Sequence, residues 1–155
     1  MRRRAAKIRK IFPDAKYGEI IVSRFVNRLM NDGKKSVVEK AVYEAFGNLE
    51  QKLKKHPVSV FKEALENITP KVEVRSRRIG GATYQIPVEV SPRRGSALAL
   101  KWLKIAIENI KGRDLSTKVI TVVLESLDNK GWAAKKKEEV FKMAEANKAF
   151  AHYRW

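Results

Sequence analysis

The sequence predicts a mainly α fold: a single helical domain of about six helices, with a protruding β-hairpin between helices 3 and 4 and a basic N-terminal arm. Apolar residues recur at helical spacing in most of the chain, whereas the short segments on either side of Gly80 and Gly81 alternate with a period of two. Hydrophobic residues make up 44% of the 155 residues, enough to bury one core of ordinary size. Because no linker or repeat divides the chain, residues 1–155 are expected to form one domain.

A tight turn separates the first two helices. The first is expected to begin near Glu19 and to end at Asp32-Gly33 in a left-handed C-cap. Ser36 and Glu39 have the spacing of a capping box, which predicts that the second helix begins there. The later helices are expected from Pro57 to Thr69, from Pro92 to Lys111, from Ser116 to Leu127 and from about Ala133 onward.

The segment of residues 71–91 is predicted to be a β-hairpin. In its first strand Val72 and Val74 face one side and Arg75 and Arg77 face the other, and the second strand repeats the same period. Gly80 and Gly81 supply the positive backbone angles that a tight reversal needs. We therefore expect one apolar face and one row of guanidinium groups, extended beyond the base of the hairpin. The arginines concerned are Arg75, Arg77, Arg78, Arg93 and Arg94.

The chain is strongly basic. Lys and Arg number 34 against 17 Asp and Glu, which gives a formal net charge of +17. Such a surface repels itself, so we expect a polyanionic partner: nucleic acid, an anionic membrane or an acidic protein. A membrane is disfavoured because no apolar run approaches about 18 residues. We also expect no signal peptide and a cytoplasmic location, since no apolar segment follows the basic start.

Several basic segments have more than one interpretation. The arm, residues 1–12, either orders on contact with phosphate or stays a solvated tail. Three arginines within four hairpin residues favour nucleic-acid contact over protection of an exposed sheet edge. The Gly33–Ser36 turn is not a nucleotide-binding loop, because position 28 is arginine where that motif needs glycine, but its lysines suit a phosphate beside a helix N-terminus.

Two segments near the end of the chain are left open in the same way. Residues 135–137 are lysines followed by two glutamates, and they form either part of a positive field or a salt-bridged, solvated helix face. The tail, residues 149–155, is aromatic and basic. Phe150, Tyr153, Arg154 and Trp155 either contact unpaired bases or a partner protein, or dock on the chain's own core.

The sequence offers little for catalysis. It has no cysteine and two histidines far apart, and its acidic residues are scattered. No nucleophile, base and orienting group fall into a recognisable spacing. We therefore expect no enzyme activity, no cofactor and no metal site.

Three segments together resemble the bacterial small-subunit ribosomal protein seven family. They are VRSRRIGGATYQIPVEV from Val74 to Val90, MAEANKAFAHYRW from Met143, and the Asp32 to Lys35 turn. The resemblance implies a structural protein that binds the 3′ major domain of small-subunit ribosomal RNA as a primary binder and nucleates assembly of the head. It also implies a place at the subunit interface near the exit-site transfer RNA and the messenger path, beside neighbouring head and platform proteins.

The same resemblance implies three sets of contact residues. The ribosomal RNA contacts are expected at Arg2, Arg3, Arg4, Lys7, Arg9, Lys10, Lys34, Lys35, Arg75, Arg77, Arg78, Arg93, Arg94, Lys111 and Arg113. The side towards the exit site is expected at Ile79, Gly80, Gly81, Ala82, Thr83, Tyr84, Lys135, Lys136 and Lys137. The aromatic and basic tail is expected to contact RNA or a partner. The chain departs from the family pattern at Ala15, His56 and Trp132, and the loss of proline at position 15 is expected to loosen the junction between arm and domain.

Two functions from other classes remain alternatives. A nucleoid-type DNA-binding protein also fits the charge and the hairpin, although the glycines beside Ile79 make a poor wedge for the minor groove. An RNA-processing enzyme would show substrate turnover and a magnesium requirement.

Overall fold

The computed structural model describes Ala6 and residues 9–153. The α-helices are α1 (Ile20–Leu29), α2 (Lys35–Leu53), α3 (Pro57–Ile68), α4 (Pro92–Asn109), α5 (Leu115–Leu127) and α6 (Gly131–Ala146). The strands are β1 (Val72–Ile79) and β2 (Ala82–Glu89), and a 3₁₀ helix, Lys148–Tyr153, follows α6. The strands form an antiparallel hairpin between α3 and α4, so the predicted mainly α fold is confirmed. Six of the residues expected to contact RNA or a partner, namely Arg2, Arg3, Arg4, Lys7, Arg154 and Trp155, lie outside the described residues.

The buried core lies among α1 to α5, because each of these helices has apolar side chains at helical spacing. Phe25, Phe46 and Phe61 are fully buried, and the ring of Phe61 lies 4.8 Å from that of Phe25 and 5.4 Å from that of Phe46. Burying an aromatic side chain of this size stabilises the fold by about 1.5–3 kcal/mol. The five helices therefore give a packed body, from which the hairpin extends between α3 and α4.

The helix starts predicted from the sequence are confirmed in part. Pro57 and Pro92 are the first residues of α3 and α4, as predicted. The prediction of a capping box was wrong. Ser36 lies inside α2, and Glu39 pairs instead with Lys35 at 3.3 Å, one helical turn away. Lys34 occupies the N-cap without a side-chain cap, since a lysine side chain has no hydrogen-bond acceptor for the free N–H groups.

The expected end of α1 at Asp32-Gly33 was also wrong. The helix ends at Leu29, and Asp32 (φ 52°) and Gly33 (φ 73°) both adopt left-handed conformations in the following loop. Asp and Gly both tolerate this conformation, so the two residues turn the chain within the loop and do not cap α1. The reversal brings Lys34 and Lys35 to the start of α2.

Asp114 caps α5, a role that sequence reasoning missed. Its carboxylate accepts hydrogen bonds from the Thr117 N–H at 3.1 Å and from the hydroxyls of Ser116 and Thr117. These bonds, the one from Ser116 above all, hold the pKa of Asp114 well below its usual range. An Asp three residues before a Thr at a helix start is the signal that could have found it. The cap fixes the first turn of α5 directly after Arg113.

The hairpin has the expected turn but not the expected faces. Gly80 (φ 56°) and Gly81 (φ 91°) form the reversal and pair Ile79 with Ala82. This register sets Arg77 opposite Tyr84, and opposed residues of an antiparallel pair lie on the same face. The prediction of one apolar face and one guanidinium row was therefore wrong, because the turn brings β2 apolar side chains onto the face of the β1 arginines. The arginines divide between the faces: Arg75 and Arg77 share one with Tyr84 and Ile86, and Arg78, opposite Thr83, lies on the other.

The hairpin is braced by the C-terminal part of the chain. α6 packs against both strands, and the 3₁₀ helix packs against β2. Tyr84 lies 5.3 Å from the ring of Phe150 and 5.6 Å from that of Tyr153. The last described residues thus hold the hairpin by its second strand. In the part of the chain that the structure describes, no helix has both the length and the apolar character to cross a membrane.

Candidate nucleic-acid interface

A basic groove of about 660 Å³ lies between the arm, α1 and α4. Its cationic side chains are Arg9, Arg24, Arg28, Arg93, Lys101 and Lys104, and "basic groove" below means the groove lined by these six. Among the described residues of the lining, Glu108 alone is acidic. Clustered cations in a concave surface attract a polyanion more strongly than the same charges spread over a flat one.

Helical spacing gathers these cations. Arg24 and Arg28 are four residues apart, so they project from the same face of α1, and Lys101 and Lys104 are neighbours on α4. Lys104 is held inside the groove, since its Nζ donates to Oδ1 of Asn31 at 3.0 Å and lies 3.6 Å from Glu108. The sequence predicted Arg9 and Arg93 as contacts. It did not single out the pair on α1 or the lysines on α4, because only the packing of α1 against α4 shows that they line one groove.

The junction between arm and body is fixed by Asp14. This buried carboxylate accepts hydrogen bonds from the N–H groups of Lys16 (3.1 Å) and Tyr17 (3.0 Å) and from the Tyr43 hydroxyl (2.8 Å). Burial raises the pKa of Tyr43 to about 12, and the hydrogen bond to Asp14 acts in the same direction. The turn after Asp14 is thus held by side-chain bonds and has no proline at position 15. These bonds fix the point from which Arg9 and Ile11 reach the groove.

The base of the hairpin adjoins the basic groove through two consecutive arginines. Arg93 lines the groove, and the next residue, Arg94, donates from Nε to Oε2 of Glu73 at 3.2 Å. Arg75 donates from its own Nε to Oε1 of the same carboxylate at 2.7 Å. Two of the predicted ribosomal RNA contacts, Arg9 and Arg93, therefore line the groove, and Arg75 and Arg94 are joined beside it through Glu73. Lys10 is exposed next to Arg9 in the chain.

The tip of the hairpin is open. Arg77 and Arg78 are exposed on opposite faces, and a Cβ added at Gly80 or Gly81 would meet no atom within 4 Å. The described part of the tail, residues 149–153, by contrast packs back on the molecule, because Phe150 and Tyr153 contact Tyr84. Of the two interpretations of the tail, docking on the chain itself therefore describes these two residues, although the surface they meet is the hairpin and not the helical core.

The remaining predicted contacts are dispersed. Lys34, Lys111 and Arg113 are exposed at the starts of helices or in connections between them. Arg113 lines a second groove, of about 640 Å³ between α2 and α5, where Lys52 and Lys130 are balanced by Glu125 and Asp128. This mixture of charges makes the second groove a weaker candidate for a polyanion than the basic groove.

The lysines of α6 have partners within the protein. Lys136 donates to Glu139 at 2.8 Å and Lys137 to the Asn67 carbonyl oxygen at 2.6 Å, whereas Lys135 is exposed. The salt-bridged helix face thus accounts for Lys136, and Lys137 ties α6 to the end of α3. The structure does not bring the three lysines together as one set of free cations.

The arrangement defines a class of protein. The described residues hold no group of three His, Cys, Asp or Glu side chains able to bind a metal ion. What the fold does assemble is a packed helical body, a basic groove and an arginine-bearing hairpin, which together suit the phosphate backbone of a nucleic acid.

Comparison with known proteins gives the family. Residues 1–148 match the family of ribosomal protein S7p/S5e, and the chain belongs to this family. It is 54% identical to the small ribosomal subunit protein uS7 of Ruegeria pomeroyi over 154 residues, which cover 99% of both chains. The proteins of the same name from Roseobacter denitrificans and Rhodobacter capsulatus are each 52% identical over the same share. The family predicted from the hairpin and C-terminal motifs is confirmed, and the chain is a ribosomal protein and not an enzyme.

Proposed function

We propose that the chain is a structural constituent of the small ribosomal subunit and binds ribosomal RNA through the basic groove and the hairpin arginines. The observation that carries this proposal is the concentration of six cations against Glu108 in one groove, bordered by Arg75 and Arg94. The name of its relatives, small ribosomal subunit protein uS7, supports the ribosomal assignment.

The family resemblance supports a more specific role. We propose that the chain is a primary binder of the 3′ major domain of the small-subunit RNA and nucleates assembly of the head in the cytoplasm. Its neighbours there are head and platform proteins. A rigid protein with contacts on its arm, α1, α4 and hairpin can hold separate RNA segments together, so binding shifts a multi-conformer RNA towards one arrangement.

The chemistry of recognition follows from the form of RNA. A-form helices hide their base edges in a deep groove, so phosphates, 2′-hydroxyls, unpaired nucleotides and overall shape are what a protein reads. Arginine forks match phosphate oxygens in a planar, bidentate geometry. If roughly eight phosphates are engaged, the log–log slope of affinity against salt is about −6.

The hairpin tip is proposed to face the exit-site transfer RNA and the messenger path. It consists of residues 79–84, and α6 with Lys135 lies beside its strands. Two features support this assignment: the glycine turn leaves the tip open to a close approach, and the contact of Tyr84 with Phe150 and Tyr153 holds the hairpin in place.

A filter-binding titration tests the proposal at about 150 mM and 400 mM salt, where a phosphate-based affinity must differ strongly. The protein is titrated against the 3′ major domain of small-subunit ribosomal RNA, a scrambled RNA of equal length and duplex DNA. Saturable binding to the ribosomal domain, about a hundredfold tighter than to both competitors, is the expected result.

The alternatives predict other outcomes of the same titration. Equal affinity for duplex DNA and structured RNA would favour a nucleoid-type protein. Cleavage of the RNA on addition of magnesium would favour a processing enzyme. Indiscriminate binding that collapses at the higher salt would leave only a generic polycation and would overturn the proposal.

A further inference from the structure

Glu73 is a buried acid within the predicted RNA-binding surface. It is the second residue of β1, and its side chain is only 10% exposed. Oε1 accepts from Nε of Arg75 at 2.7 Å, and Nη2 of the same guanidinium lies 2.5 Å from that oxygen. Oε2 accepts from Nε of Arg94 at 3.2 Å. One carboxylate thus joins an arginine of the hairpin to an arginine of α4.

The two arginines remain open to solvent although the carboxylate is covered. Their side chains are 60% (Arg75) and 54% (Arg94) exposed. A guanidinium has five N–H donors. Glu73 accepts the Nε–H of each arginine and also pairs with Nη2 of Arg75, so donors remain on each for phosphate oxygens. Burial alone would raise the pKa of Glu73, but the bonds from Arg75 and Arg94 outweigh it and lower the pKa, so the group is charged at neutral pH.

From this geometry we infer that Glu73 is a positioning residue for RNA binding: it fixes the guanidinium groups of Arg75 and Arg94 in orientations that present their free N–H donors to phosphate. The inference rests on the proposed function and assigns a residue to it that the basic residues alone do not reveal. In this inference Glu73 acts on RNA only through the two arginines that its oxygens bind.

The physical benefit is preorganisation. A free arginine side chain has many rotamers, and binding a phosphate must restrict them. A side chain already held at Nε loses less freedom when its outer nitrogens bind RNA. The bond to Glu73 also sets the spacing between a hairpin arginine and a helix arginine, which a flexible pair could not hold.

Replacing Glu73 changes RNA affinity in one direction if the residue positions the arginines and in the opposite direction if only net charge matters. Removing an acid from a protein of net charge +17 makes it more basic, and charge alone then predicts tighter RNA binding. Loss of positioning predicts weaker binding. The two effects act in opposite directions on the same measured affinity.

The test uses the full chain and the 3′ major domain RNA in the filter-binding assay. Glu73→Gln keeps the size of the side chain and removes its charge, and we expect about tenfold weaker binding. Glu44→Gln, at an exposed position of α2 outside the basic groove, makes the same charge change and is expected to bind as the wild type or slightly tighter. Glu73→Gln binding at wild-type strength or above would overturn the inference.

A double-mutant cycle distinguishes positioning from a merely structural role. In a background with Arg75→Ala and Arg94→Ala, Glu73→Gln is expected to cause no further loss of RNA affinity, because the groups through which it acts are gone. A full, additive loss in that background would contradict the inference, since it would show that Glu73 acts on RNA binding by another route.

Folding is checked by circular dichroism at the assay temperature. If Glu73→Gln is not folded, Glu73→Asp decides the question, because it keeps the charge and withdraws the carboxylate by one methylene. The expected loss is then about threefold at unchanged net charge, and wild-type affinity of folded Glu73→Asp would overturn the inference. Failure of the wild type to prefer the ribosomal RNA counts against the proposed function instead, so the two failures are distinguishable.

Discussion

Tyr43 of α2 donates a hydrogen bond of 2.8 Å to Oδ1 of Asp14, across 29 positions of the sequence. The other carboxylate oxygen accepts from the N–H groups of Lys16 and Tyr17, so one buried side chain closes the turn and ties it to the helical body. Tyr17 packs edge-on against Tyr43, with ring centroids 5.8 Å apart. The path of residues 9–13 towards the basic groove therefore depends on a contact far away in sequence.

Replacing Tyr43 by Phe is expected to lower the free energy of unfolding by about 1 kcal/mol at neutral pH, because Asp14 loses its hydroxyl donor. Since burial raises the pKa of Tyr43 to about 12, the folded state holds this proton more tightly than the unfolded state. The contribution of Tyr43 is complete below its ordinary pKa of about 10 and is lost as pH rises from there towards about 12.

Urea unfolding of the wild type and Tyr43→Phe at neutral and alkaline pH measures this effect. The stability difference between the two proteins should shrink with rising pH, whereas the titrating lysines, common to both, cancel in the comparison. A difference that stays constant to pH 11 or beyond, well past about 10, would contradict the assigned role of the hydroxyl.

The arginine pair on α1 tests the basic groove. Changing both Arg24 and Arg28 to Ala is expected to weaken binding to the 3′ major domain RNA and to make the salt slope shallower by about 1.4, if each contacts one phosphate. Lys40→Ala with Lys55→Ala removes the same charge from exposed positions outside the groove and serves as the control. Equal losses in the two double variants would mean that total charge, and not the groove, governs affinity.

The groove shows where sequence reasoning stops. Arg24 and Arg28 could be assigned to the polar face of a helix from their spacing alone. That they lie across from Arg93 and Lys101 depends on how α1 packs against α4, which no local pattern specifies. The helices themselves were predictable, because periodic apolar positions and prolines at the first position act locally.

The hairpin, like the groove, could be predicted from the sequence only in part. Its place and its turn were predictable from the alternation and from two glycines that both adopt positive φ. Its faces were not, because they depend on which residues the turn sets opposite each other, as with Arg77 and Tyr84. The contact of Tyr84 with Phe150 is a tertiary contact between distant segments, so the aromatic tail was compatible with several partners until the fold was known.

The two faces of the hairpin tip give a further prediction. Arg77 and Arg78 are consecutive and point to opposite sides, so an RNA that surrounds the tip contacts both, whereas an RNA that lies on one side contacts one. We expect Arg77→Ala and Arg78→Ala each to weaken RNA binding by roughly tenfold, with effects that add in the double variant. Titration of the single and double variants with the same RNA checks this. If one of the two substitutions left the RNA affinity unchanged, the RNA would contact only one face of the hairpin tip.

The contact between the tail and Tyr84 predicts that the tail rings stabilise the hairpin and contribute little to RNA affinity. Phe150→Ala together with Tyr153→Ala removes the two rings that brace β2, so the hairpin is expected to loosen while the helical body, whose core lies elsewhere, keeps its stability.

Hydrogen exchange of the β2 amides should become faster in this double variant, because local opening no longer disrupts the aromatic contacts. Exchange in α2 and α5 is the internal control. Affinity for the 3′ major domain RNA should fall by less than the roughly tenfold expected for Arg77→Ala, since the basic groove is unchanged and the loosened hairpin keeps its arginines. Abolished RNA binding with normal exchange in the helices would mean that these rings contact the RNA directly, and that their packing on Tyr84 is not their main role.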